Sequence, residues 1–189
     1  MKKGFTLKKG FTLIELLIVI GILAILATTV ILVLNPAQIL AQARDSQRIS
    51  DLSSVKSAIA LYLATADSPV IAASSTCTFT GCGNPFTLTP LVITSSTVIT
   101  GGGWVAVNLT ETSGGSSLSA LPLDPTQSTT YYYGFAGDSA NKTFELNGRL
   151  ESTKYRDNMT SDGGNKNTCS SYTETTCYYE IGTDSGLNL

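Results

Sequence analysis

Three sets of residues in this 189-residue chain carry side chains that could do chemistry. The first is a lone carboxylate, Glu15, set in an otherwise apolar run that follows Gly10 and Phe11. A carboxylate in a lipid-embedded helix costs on the order of 3 kcal/mol even on lenient insertion scales, so it needs a partner or a route to the headgroups. The second set is Cys77, Cys82, Cys169 and Cys177, even in number and confined to the later part of the chain. The third is Asp124, Asp138, Asp157, Asp162 and Asp184, whose oxygens could serve calcium, although their spacing matches no EF-hand. Asp is also a standard turn former, and no cofactor is assigned from these residues. The chain has no histidine, the commonest general base and transition-metal ligand, and no catalytic constellation emerges from the rest.

Four cysteines allow three pairings. Local pairs, Cys77–Cys82 and Cys169–Cys177, would each close a short loop rich in Gly and Asn or in Ser and Thr. A crossed pairing would instead tie the region near residue 77 to the C-terminal tail. The C-x4-C and C-x7-C spacings could also suggest metal ligands, a weak reading without histidine. Oxidised pairs require an extracytoplasmic setting, where disulfides persist.

The element that must position Glu15 is the run FTLIELLIVIGILAILATTVILVL, residues 11–34, in which Glu15 is the single charge. As a helix it would reach roughly 36 Å, enough to cross a hydrocarbon core of about 30 Å. Lys2, Lys3, Lys8 and Lys9 precede it with no acidic residue among them. The positive-inside rule places that end in the cytoplasm and sends the body outward. Gly21 and Pro36 punctuate the helix, and Pro36, lacking an N–H, predicts a kink or local melt near residues 32–36. Two cuts are open: after Gly10, keeping the apolar helix, or after the run near Asn35-Pro36-Ala37, as in an ordinary secretory signal.

The string KKGFTLIELLIVIGILAIL resembles the class III signal of type IV prepilins and the pseudopilins of type II secretion. The resemblance implies that a prepilin peptidase cuts between Gly10 and Phe11, leaving an N-methylated Phe11 as the first mature residue. Glu15 is then the fifth mature residue, the family's glutamate, expected to meet the terminal amine of a neighbouring subunit. KKGFTL occurs twice, at 2–7 and 8–13, but a cut after Gly4 would put Lys9 at the fifth position, so only the second copy fits. The resemblance also implies a helix continuing past Pro36, a C-terminal disulfide loop whose nearest counterpart here is Cys169–Cys177, and a calcium loop of the kind seen in major pseudopilins.

Downstream, Ile49, Leu52, Val55, Ile59 and Tyr62 or Leu63 recur at helical spacing with Arg44, Asp45, Arg48, Asp51 and Lys56 between them. This stripe predicts a helix face packed on the protein's own sheet, ending near Asp67-Ser68-Pro69. Strand candidates follow at Trp104–Leu109, Thr129–Phe135, Lys142–Leu150 and Tyr178–Ile181, with GDSANK as a hairpin turn. The fold class is therefore α+β: a long helix over about 11–66 with an antiparallel sheet on its C-terminal half. The expected division is a leader, 1–10; a transmembrane and polymerisation helix, 11–34; its amphipathic continuation, 35–67; and an extracytoplasmic β-rich body, 68–189. The stretch 121–152 resembles, loosely, the sheet region of the Gram-positive-like and pseudopilin branches.

Without its first ten residues the chain has eight basic against fourteen acidic residues, a net charge of −6, which argues against nucleic-acid binding. Asn108, Asn141 and Asn158 begin N-x-T sequons in an Asn- and Thr-rich chain, where such matches arise by chance. The leading function is a structural subunit of a pilus or pseudopilus. It would sit in the inner membrane as a single-pass protein before assembly, and its partners would be copies of itself, the prepilin peptidase, the assembly machinery and membrane lipid. The alternative is a minor tip pilin with an adhesive or DNA-binding role.

Overall fold

A computed structural model describes residues 10–170 and 176–189. Lys2, Lys3, Lys8, Lys9 and the first KKGFTL copy lie outside the described residues, as does the stretch 171–175 between Cys169 and Cys177. The chain divides into two units, Met1–Ile39 and Leu40–Leu189.

In the first unit, helix α1 spans Leu13–Leu34 and runs unbroken through Gly21. It stops at Asn35, which takes left-handed backbone angles (φ 41°, ψ 75°). Helix α2, Pro36–Thr65, starts at the next residue. Asn tolerates the left-handed region and favours helix N-termini, while Pro fits the first helical turn, where no N–H is needed. The Gln38 N–H donates to the Asn35 main-chain oxygen at 2.9 Å, so Asn35 closes one helix and opens the other. The helix expected over 11–66, with a kink or local melt near 32–36, is thus two helices separated by one residue, Asn35.

In the second unit, α2 buries Ala41, Asp45, Arg48, Leu52, Val55, Ala58, Ile59 and Tyr62. Leu52, Val55, Ile59 and Tyr62 join one core with Trp104, Tyr133, Phe135, Phe144 and Leu146. Each fully buried Leu, Ile or Phe side chain contributes about 1.5–3 kcal/mol of apolar burial. Five strands form one sheet in the order β2-β1-β3-β4-β5: β1 Ser74–Cys77, β2 Leu91–Ile93, β3 Gly134–Asp138, β4 Thr143–Gly148 and β5 Tyr179–Gly182. The fold is α+β. The β3–β4 hairpin turns at Ser139–Lys142, where the Asp138 carboxylate accepts the Ala140 N–H at 2.7 Å.

Two expectations are corrected. The sheet is mixed: three pairings are antiparallel, but β1 and β2 are parallel, with Ser75 opposite Leu91. The connection over 78–90 is long enough to return the chain to the same end of the sheet, as a parallel pair requires. Trp104–Leu109 is not a strand: a largely buried loop over Trp104–Val107 is followed by an isolated bridge from Asn108 to Thr100 and a 3-10 turn beginning at Leu109. Gly101–Gly103 precede it, and its amides spread over an adjacent loop, Trp104 N–H to Ser96 at 3.0 Å and Leu109 N–H to Ile99 at 2.8 Å. Its apolar side chains fill the core without forming a ladder.

Strands β1 and β2 were not among the expected ones. The sequence of β1, Ser-Ser-Thr-Cys, lacks an apolar period, yet it lies between β2 and β3 and is largely buried. Two of its hydroxyls bond to carbonyls of crossing loops, Ser75 to Leu88 at 3.0 Å and Thr76 to Trp104.

Candidate functional site: the N-terminal segment and its helix

Thr12 caps α1 in extended conformation, and the T-x-x-E spacing brings Glu15 back onto it. The Glu15 carboxylate accepts the Thr12 N–H at 2.8 Å and the Thr12 hydroxyl at 2.6 Å, while the Glu15 N–H donates to that hydroxyl oxygen at 3.3 Å. Two otherwise orphaned groups at the helix start are satisfied, and the acidic side chain lies at the positive end of the helix dipole. Gly10 and Phe11 lie just before this cap, and Phe11 is 78% exposed. Leu13–Ile31 is long and apolar enough to cross a membrane, and its apolar side chains are exposed. Thr28 and Thr29 donate to the helix's own carbonyls, Ala24 at 2.8 Å and Ile25 at 3.0 Å, so they add no unpaired donor to the span.

A second polar cluster lies in the body around Arg44, Asp45 and Arg48, which the sequence places between the apolar positions. Asp45 and Arg48 are fully buried and belong to the inward stripe. The Arg48 guanidinium donates to Asp124 at 2.7 Å, Asp45 at 2.8 Å, Thr126 at 2.8 Å and Glu151 at 2.9 Å. Asp45 in turn accepts the Ser152 N–H at 2.7 Å, and Arg44 bonds Glu151 through Nε at 2.5 Å. Tyr131 stacks its ring under Arg48, 4.7 Å from the guanidinium carbon. Burial opposes the Arg48 charge, but Asp124, joined by Glu151 and Asp45, outweighs it and holds the pKa above its ordinary value. Burial likewise pushes Glu151 up, and the two arginines outweigh that push and lower its pKa. A signal was present: Asp45 and Arg48 continue the 4-3 spacing of Leu52, Val55, Ile59 and Tyr62 toward the N-terminus.

Disulfides join Cys77 to Cys82 and Cys169 to Cys177. Cys77 packs with Tyr132 and Tyr178, whose hydroxyls lie 2.5 Å apart, and Tyr133 faces the other core. The five aspartates are dispersed. Asp124 serves Arg48, Asp138 serves its turn, and Asp157 precedes the short helix α3, Asn158–Ser161. Asp162 accepts the Glu180 N–H at 2.8 Å, and Asp184 accepts the Asn188 N–H at 3.1 Å. Among the described residues no group of three or more His, Cys, Asp or Glu side chains is placed to hold a metal.

Residues 8–31 match the prokaryotic N-terminal methylation motif, the class III prepilin signal of type IV pilins and pseudopilins. No curated protein and no solved structure matches the chain. The motif, on an apolar helix ahead of an α+β body with two disulfides, supports a type IV pilin-like or pseudopilin precursor. The same signal implies processing by a prepilin peptidase and later assembly, and the helix fits a single-pass membrane anchor.

Proposed function

We propose that this chain is a structural subunit of a type IV pilus or related pseudopilus, polymerised through α1. The observation that carries the reading is the methylation motif over 8–31, with Glu15 as the one charge in an exposed apolar helix. Cleavage between Gly10 and Phe11 creates an amine on Phe11, which methylation keeps cationic. Before assembly the Glu15 carboxylate rests on its own Thr12 cap, which lessens the cost of carrying it in lipid. In the filament it accepts the Phe11 amine of a neighbour, and this charge pairing selects the axial register. The N-terminus faces the cytoplasm and the body lies outside, with copies of itself, the assembly machinery and membrane lipid as partners. The interface is head-to-tail and does not close, so it yields a helical filament.

The test is co-expression with a prepilin peptidase and an assembly platform. Mass and N-terminal sequencing are expected to show a chain starting at a methylated Phe11, recovered in sheared filaments. A start beyond residue 34, or an uncut chain, would sink the reading.

A further inference from the structure

The face of the sheet turned away from α2 holds a buried pair of carboxyls. Phe144 and Leu146 of β4 point into the core with Leu52, so Glu145 and Asn147, alternating with them, take the other face. Glu180 of β5 stands opposite Asn147 in the register. Glu145 is 1% exposed, and Asn147 and Glu180 are 0% exposed. Each carboxylate anchors a different covering segment. The Glu180 Oε2 accepts the Lys166 N–H at 2.7 Å, and the Glu145 Oε2 accepts the Leu189 N–H at 3.0 Å. The first segment lies so close that a Cβ on Gly164 would fall 2.0 Å from Glu180 Oε2. The second is held by the Thr87 N–H donating to the Leu189 main-chain oxygen at 2.7 Å, with Leu187 buried beside it.

What remains is unfilled. Glu180 Oε1 is buried with no donor, and the Asn147 carboxamide on the same face also has no partner at either atom. Among the described residues no Lys or Arg forms an ion pair with either glutamate. Glu145 and Glu180 share this buried face on adjacent strands, diagonal to one another across the Asn147–Glu180 and Glu145–Gly182 pairs, with Asn147 beside Glu145. Two ionised carboxylates are both acceptors, so they can bond only if one of them carries a proton.

We propose that Glu145 and Glu180 share one proton as an acid–carboxylate pair, clasping the 162–167 and 183–189 segments across the rear of the sheet, and that losing the proton to solvent loosens both. Burial pushes both carboxyls up, Glu180 to about 8. The Asp162 charge adds to the rise at Glu180, while Lys166 opposes the rise at Glu145. Asp184, on the C-terminal segment, is bonded to the Thr143 hydroxyl, and Arg149 beyond β4 is bonded to the Cys177 and Thr130 carbonyls. The sign follows. A carboxyl with a raised folded pKa binds a proton that the unfolded chain releases, so its stabilisation is complete below the unfolded value and is lost as pH rises through the folded one. The chain has no histidine and its cysteines are bonded, which leaves this window with few competing groups.

The experiment uses the full-length chain in detergent micelles, from about pH 5 to about pH 9, a window chosen to span the ordinary and raised carboxyl values. Infrared spectroscopy should show a buried protonated-carboxyl band at the acid end that disappears at the alkaline end. The melting temperature should fall across the same range. The Lys166 and Leu189 amides should exchange faster than the base-catalysed rate alone predicts. In Glu180→Gln, whose amide donates to Glu145 without a proton, the band and the alkaline loss should both vanish. If the variant misfolds, the wild-type infrared band decides alone. A wild type without that band, a variant keeping the wild-type pH slope, or calcium restoring the alkaline loss would each overturn the proton-sharing pair, the last by assigning the cluster to a metal cation.

Discussion

Arg48 and Asp124 meet through two hydrogen bonds, Nε to Oδ2 at 2.7 Å and Nη2 to Oδ1 at 3.2 Å, although 76 residues separate them in the chain. This bidentate pair, wholly buried, joins α2 to the loop ahead of β3.

Arg48→Met should destabilise the body by about 3–5 kcal/mol, because three carboxylates would lose a shared cation in a buried site. Chemical denaturation of the full-length chain in detergent measures this. A loss within about 0.5 kcal/mol, as for an ordinary surface substitution, would show that the network contributes little.

Glu151 should contribute to the acid limb of the stability curve. Its folded pKa is lowered, Arg44 and Arg48 outweighing its burial. Its contribution is present above the unfolded carboxyl value and is lost as pH falls through the lowered one. Glu151→Gln should therefore flatten acid unfolding below about pH 4, near the ordinary Glu value, while costing stability at neutral pH. The check is an acid titration followed by circular dichroism; an unchanged acid limb would contradict the assignment.

Glu15 has two separable roles, a local cap and the proposed charge pairing. Glu15→Gln keeps an acceptor for the Thr12 N–H but loses the charge, whereas Glu15→Ala loses both. Both should leave the melting of the body unchanged and sharply reduce the yield of sheared filaments. Wild-type filament yield from normally accumulating Glu15→Gln subunits would remove charge pairing from the mechanism.

Leu52→Asp should act the opposite way. Leu52 is fully buried, against Gly148 among other neighbours, and a carboxylate there should cost several kcal/mol before assembly begins. Membrane levels and protease resistance of the subunit are the readout; a stable Leu52→Asp body would show that this face of α2 is not a core face.

The oxidised state is tested by peptide mapping without reductant. Cys77–Cys82 and Cys169–Cys177 peptides are expected, with no free thiol. A peptide joining Cys77 to Cys177 would overturn the connectivity alone.

Local signals were legible in the sequence because each needs only neighbouring residues. The apolar run of α1, the methylation motif and the Leu52–Tyr62 stripe depend on composition or short periodicity. The β3–β4 turn and β4 were legible because they are contiguous, but the strand expected over Thr129–Phe135 is displaced to Gly134–Asp138. Tertiary structure alone decided what depends on distant partners. Strand β1 reads as a polar loop, yet it is central because loop carbonyls far along the chain receive its hydroxyls. Asp45 and Arg48 stand among the polar positions between the apolar ones, yet they are buried because Asp124 and Glu151 converge on them. Glu145 reads as the outward residue of an alternating strand, and it would be, had the segments carrying Lys166 and Leu189 not covered that face. Period and propensity report which side of an element is polar; only the folded chain determines whether that side meets water or another polar group.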